Sequence, residues 1–256
     1  MTSKFLPVIA LNAFEEGAEL LPLVTGGTAS QREVLRFCRT LRRRAICELL
    51  LLGLVGRFHL YLHKSGRAFL HFLRGSADAA KVTSRAEPFF DAIACLDLEC
   101  AREQARSARS TWNERVEYEE DFLYVRFLMS AHFLDAPATE LTAMLARAEE
   151  VTEGRDDPRI AICSALLARD AGRFDDALSD LLDLREQRTT HLFDRGGAHE
   201  EEAATEGQID VEGLALVRLA ESRGIVTRPE YPFIPSLLRV GPTRAFTVDD
   251  WTDIAE

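Results

Sequence analysis

Apolar residues recur every third or fourth position along most of this chain, which is the spacing of helix faces that bury one side. In residues 157–187, Ile160, Cys163, Leu166 and Leu167 share one face of a helix. Asp157 can cap that helix, and Pro158 suits its first turn, where a missing N–H costs nothing. The pattern predicts a turn at Ala171-Gly172-Arg173-Phe174 and a second helix from Asp175, with Leu178, Leu181, Leu182 and Leu184 continuing the apolar face.

The remaining segments read the same way. Ser30 is a candidate N-cap for a helix on which Val34, Cys38, Leu41, Ala45, Leu49 and Leu52 recur, while Arg32, Arg36, Arg39, Arg43 and Arg44 stand away from that stripe. Further helices are expected over residues 57–73, 84–109, 114–134, 139–153 and 209–223. The segment 122–129 is apolar almost all round, so it belongs centrally, and Arg126 within it calls for a carboxylate partner. Residues 189–208 offer no packing face and read as a loop. From Ile225 the chain is broken by Pro229, Pro232, Pro235 and Pro242 and is expected to wrap the bundle, with one short edge strand at Phe246-Thr247-Val248. The small residue, Gly, aromatic and acidic first turn at 171–176 resemble a tetratricopeptide-type joint, which buries one face of a helix pair and offers the other to a partner. The fold expected is all-α. It is an array of about eight antiparallel helices paired as tetratricopeptide-like hairpins, with residues 1–29 as an extended arm with room for one short helix and 30–256 as one helical domain.

Composition narrows the class. At 46% hydrophobic and 29% charged, the chain has the means to build a core. No apolar run reaches the ~20 residues that span a bilayer, so no membrane partner is expected. Glu15, Glu16 and Glu19 interrupt the early apolar stretch, which argues against an export signal and for a cytoplasmic protein. Five cysteines at spacings that match no zinc module read as buried thiols. The net charge of −11 is unevenly spread: residues 32–109 carry +7 and residues 110–256 carry −16. A surface that acidic repels nucleic acid and attracts basic partners.

Candidate chemistry is thin. His59 and His63 stand four apart with His71 two turns on, but the glutamate of a zincin motif is missing and no acid lies between 59 and 71. No nucleophile elbow and no phosphate-cradling glycine loop occurs. Cys163 lies on an apolar face. No catalytic residue, metal or cofactor is expected, and the chain does not read as an enzyme. The acidic cluster at Glu114, Glu117, Glu119, Glu120 and Asp121 can mark a solvated helix start, a partner-binding patch, or a pair of carboxylates for metal or acid–base work.

Three stretches carry a resemblance. They are residues 118–129 (YEEDFLYVRFLM), residues 213–220 (GLALVRLA) with Arg223-Gly224-Ile225, and Pro232-Phe233-Ile234-Pro235 followed by Leu237-Leu238. In this order, behind an arginine-rich helix, they resemble the immunity protein 49 family of bacterial polymorphic toxin systems over residues 30–240. The resemblance implies a cytoplasmic all-helical antidote that binds a cognate toxin domain and protects producing and kin cells. An acidic half would suit a basic, nuclease-type toxin, since nucleases carry basic clefts for phosphates. The alternative is a helical-repeat adaptor or regulator that binds some other protein. For either, the candidate partner-binding residues are Glu114, Glu117, Glu119, Glu120, Asp175, Asp176, Asp180, Glu200, Glu201 and Glu202; the alternative interface, should these acids not carry binding, rests on apolar anchors such as Trp112 or Trp251.

Overall fold

The computed structural model describes residues 3–195 and 200–255. Eleven α-helices and three 3-10 turns are present among these residues, and the only β feature is an isolated bridge between Tyr231 and Ile234. The edge strand expected at 246–248 is therefore not formed.

Residues 6–25 are not an extended arm. They form α1 (Leu6–Thr25), which packs along α2 (Gln31–Leu52) through Leu6, Ile9, Ala13, Leu20 and Val24. The two helices approach closely at Gly17, where an added Cβ would lie 2.9 Å from Thr40 Oγ1. Helix α2 begins in a reciprocal capping box. The Ser30 hydroxyl accepts from the Glu33 N–H, and the Glu33 carboxylate accepts from the Ser30 N–H at 2.7 Å. It ends at Gly53, which takes the left-handed conformation (φ 66°).

Helix α3 (Val55–Gly75) is buried along most of its length and packs against α2, α4 (Glu87–Ala94) and α5 (Leu98–Ser107). At Gly66 α3 lies close against α4: a Cβ there would sit 3.0 Å from that of Ala92. A single helix was expected over 84–109, but the chain breaks at Leu96 (φ 64°) and restarts under the cap of Asp97, whose Oδ1 accepts from the Cys100 N–H. Asp97 also receives Arg67 through two bonds of 2.7 and 2.8 Å and lies 2.7 Å from His63 Nδ1. A buried carboxylate with three partners holds the break where periodicity alone shows none.

Next come α6 (Glu119–Phe133), α7 (Ala138–Val151), α8 (Pro158–Ala168) and α9 (Ala171–Arg195), followed by α10 (Glu200–Ala204) and α11 (Val211–Ser222). As expected, α6 is buried over most of its surface, but Arg126 is only half-buried and makes no ion pair among the described residues. Helix α8 starts at the Asp157 cap and Pro158. The turn into α9 falls at Arg169-Asp170, earlier than the Gly172 expected, with Arg169 left-handed (φ 55°) and Asp170 accepting from the Arg173 N–H. Helices α6–α9 thus pack as two successive pairs, which fits a tetratricopeptide-like arrangement. The loop expected at 189–208 is instead largely helical where described, since α9 runs on to Arg195 and α10 follows; residues 196–199 of that expected loop lie outside the described residues.

The tail wraps the bundle as expected. Arg218 on α11 donates to the carbonyls of Leu238, Arg239 and Val240. Lys64 Nζ donates to the Asp253 carbonyl, and Arg44 donates to the Ile254 carbonyl. Phe246 stacks on the His63 ring at 4.4 Å between centroids. Trp251 and Ile254 are buried in the common core, so Trp251 is a core residue and not a docking anchor.

Candidate functional site

A cleft of about 840 Å3 opens where α4, α6, α8, α9, α10 and α11 meet. Its floor is a polar network. Tyr124 on α6 donates its hydroxyl to Glu212 on α11 at 2.8 Å. Arg159 on α8 bonds Asp121 at 2.6 Å and Asp157 at 2.7 Å, and its guanidinium lies 5.5 Å above the Tyr124 ring. Arg185 on α9 donates to the carbonyls of Glu206 and Ile209 and stands 3.4 Å from Asp210, which caps α11.

Burial sets the protonation of this floor. It raises the Glu212 carboxyl above its ordinary value, and neighbouring Asp210 adds to the rise. It likewise pushes the Tyr124 hydroxyl well up, with Glu212 contributing. For Asp157 burial works in the same upward sense, but the hydrogen bonds and charge of Arg159 outweigh it and hold the carboxyl below its usual range. Hydrogen bonds and ion pairs thus tie α6, α8, α9 and α11 together across the floor, with the buried Arg185 Nε left without a hydrogen bond and 3.4 Å from Asp210.

The walls differ. Glu87, Glu120, Asp156 and Glu202 line the cleft, and their carboxylates have no hydrogen-bond or ion-pair partner among the described residues. Arg188, also lining it, has none either, while Arg155 reaches only the Thr152 carbonyl. The unpartnered side chains thus leave a net negative opening over the hydrogen-bonded floor.

The ten acidic candidates do not make one patch. Glu120 and Glu202 line the cleft, and Asp180 lines an adjoining hollow that shares Asp156 and Asp157 with it. Glu117 is buried and leaves the candidate surface: its carboxylate accepts from the Ser84 N–H at 2.8 Å and the Asn113 N–H at 3.1 Å, pinning the loop before α6. Trp112 joins that loop by donating to the Glu117 carbonyl. Glu119 is held in a fork by Arg147 at 2.8 and 2.9 Å. Asp175 accepts from the Tyr231 hydroxyl, and it and Asp176 lie 3.5 Å from Arg228, so they anchor the tail. Glu200 and Glu201 border a separate apolar groove with Phe5, Val8 and Leu50, and Glu201 is paired to Arg43. Glu114 is exposed and apart from the cleft.

Sequence reasoning missed Tyr124, Arg159, Arg185, Asp210 and Glu212. Glu212 alone left a signal, as the single acid inside the apolar run 211–217. The histidines serve packing. His59 Nε2 faces the Leu238 carbonyl at 3.2 Å, and His63 lies between Asp97 and the Thr247 carbonyl. His71 is exposed near Trp251. All five cysteines are buried, and burial pushes the thiols of Cys47 and Cys100 up to about 12. Among the described residues no group of three or more His, Cys, Asp or Glu side chains is placed to hold a metal ion, and no helix is long and apolar enough to cross a membrane.

No curated protein and no solved structure matches the chain significantly. A family model described as Immunity protein 49 matches residues 32–238, which takes in α2 through α11 and the first part of the tail. With most of its length matched, the chain belongs to the immunity protein 49 family.

Proposed function

We propose that this protein binds a cognate bacterial toxin domain in the cytoplasm and neutralises it, protecting the producing cell and its kin. The observation that carries the reading is the acid-walled cleft in a member of an immunity family. Glu87, Glu120, Asp156 and Glu202 are charged, unpartnered and gathered at one opening, which suits a basic surface on the toxin. A nuclease-type toxin would present such a surface, because its substrate is a polyphosphate. Binding there would block the toxin's own cleft. No step of catalysis is required of this chain.

The test is protection. The product of the neighbouring toxin gene is expressed with either the wild-type chain or the double variant Glu120→Lys with Glu202→Lys. Both positions are partly solvated, so the fold should survive the change. Protection is expected to be lost in the double variant while its melting temperature stays within a few degrees of wild type. Undiminished protection would place the toxin elsewhere. The paired helices α6–α9 beside the cleft also favour a helical-repeat adaptor as the alternative. A neighbouring product that is harmless to cells lacking this chain would favour that reading.

A further inference from the structure

The arginine stripe of α2 is not used by the acidic cleft. Arg32, Arg36, Arg39 and Arg43 stand at i, i+4, i+7 and i+11, so they share one helix face. Packing makes that face one side of a groove of about 490 Å3, completed by Glu16 from α1 and by Arg85 and Glu87 around the start of α4. Five guanidinium groups therefore face two carboxylates.

Their states differ. Arg43 is spent on Glu201 and Glu206, at 2.9 and 3.1 Å. Arg36 holds Glu16 at 2.6 Å in a largely solvated pair, a weak arrangement that a ligand can exchange. Arg32, Arg39 and Arg85 are exposed, and their guanidinium groups have no hydrogen-bond or ion-pair partner among the described residues. Three unneutralised cations beside one another cost electrostatic free energy, and none of them packs the core. A chain with net charge −11 keeps them together at this one groove.

We propose that the groove binds an acidic peptide segment of a partner protein, with aspartate or glutamate side chains meeting Arg32, Arg39 and Arg85 as guanidinium–carboxylate forks. Such forks are directional and roughly twice as strong as neutral hydrogen bonds. A nucleic-acid strand suits the site less. Glu87 lines both this groove and the acid-walled cleft, so a long polyanion leaving the groove would run onto unpartnered carboxylates. A short acidic run fits locally and avoids them. The inference stands on the arginines alone and holds whether or not the partner in the cleft is a toxin.

The probe is a fluorescein-labelled hexaglutamate peptide, titrated with the full chain by fluorescence anisotropy at low ionic strength. Hexaglutamine and a twelve-nucleotide oligo-dT serve as controls. The wild-type chain is expected to bind hexaglutamate and not hexaglutamine. The triple variant Arg32→Gln, Arg39→Gln and Arg85→Gln should bind about tenfold more weakly or worse. Its melting temperature should not change, and Arg39→Gln alone serves as a second variant with a partial loss. Changing Glu120 and Glu202 to Gln should leave hexaglutamate affinity undiminished, so a failure here is separable from a failure of the toxin reading. The proposal is overturned by absent binding to wild type, by equal affinity in the triple variant, or by oligo-dT binding more tightly than the peptide through the same arginines.

Discussion

Single side chains in this protein act mostly through burial. His59 is fully buried, and burial pushes its imidazole down to about 4 from an ordinary 6.5. His132 is driven down to about 3 by burial, with Arg223 adding to it. Both therefore stay neutral in the folded chain at pH values where the unfolded chain already binds protons. The stability this neutral state gives is fully present above pH 6.5 and drains away as the pH falls toward 4. Denaturant midpoints measured from pH 7 to pH 4 should fall, and His59→Gln should flatten the fall. A pH profile identical in that variant would show that His59 is not a source of the slope. Glu117 teaches a related lesson. In the sequence it is one of five clustered acids, yet it closes a loop from inside, accepting from two backbone N–H groups. Nothing in local spacing separates such an acid from its solvated neighbours, because one of the two donors, Ser84, comes from the segment before α4, 33 residues away.

Whole elements were legible wherever caps and periodicity agreed. Ser30 with Glu33 starts α2, and Asp157-Pro158 starts α8, as the residue types require. The misread elements are those where tertiary contacts overrode local signals. Pro22 and Gly26-Gly27 suggested an extended arm, but α1 gains its stability from Leu6, Ile9 and Leu20 packed on α2, and Pro22 is accommodated in its last turn. The break between α4 and α5 at Leu96 is sustained by Asp97, His63 and Arg67, which are far apart in sequence. The tail behaves as a strap, because its carbonyls accept from Arg44, Lys64 and Arg218 while Trp251 and Ile254 enter the core. Deleting residues 242–256 should lower stability by about 3 kcal/mol or more, read as a drop of several degrees in melting temperature. The same deletion should speed proteolysis at α3. An unchanged melt would mean that the strap lies on the bundle without supporting it.

At the scale of the whole molecule, charge is arranged in two opposed features that meet at Glu87: an acid-walled cleft and an arginine groove. If a basic toxin docks in the cleft, its association should be steered electrostatically. Stopped-flow mixing of the two proteins should then show an association rate that falls steeply between about 10 mM and 0.15 M salt, over which the Debye length shortens from about 30 to about 8 Å. The Glu120→Lys, Glu202→Lys variant should show a slower rate with a shallower salt slope. A rate indifferent to salt would remove the acidic cleft from the encounter. Of all this, the sequence by itself determined the all-α class, most helices and their caps, the buried cysteines, the wrapping tail, the charge imbalance between halves and the family resemblance. Each of these depends on neighbours within a few positions or on a plain count. Only the tertiary structure decided which acids remain free. Arg147, Arg159 and Arg228 neutralise Glu119, Asp121 and Asp175 across long stretches of chain, while Glu120, Asp156 and Glu202 are left unpartnered at one opening. Pairing falls off with distance in space, and distance in space is what a list of residues does not contain.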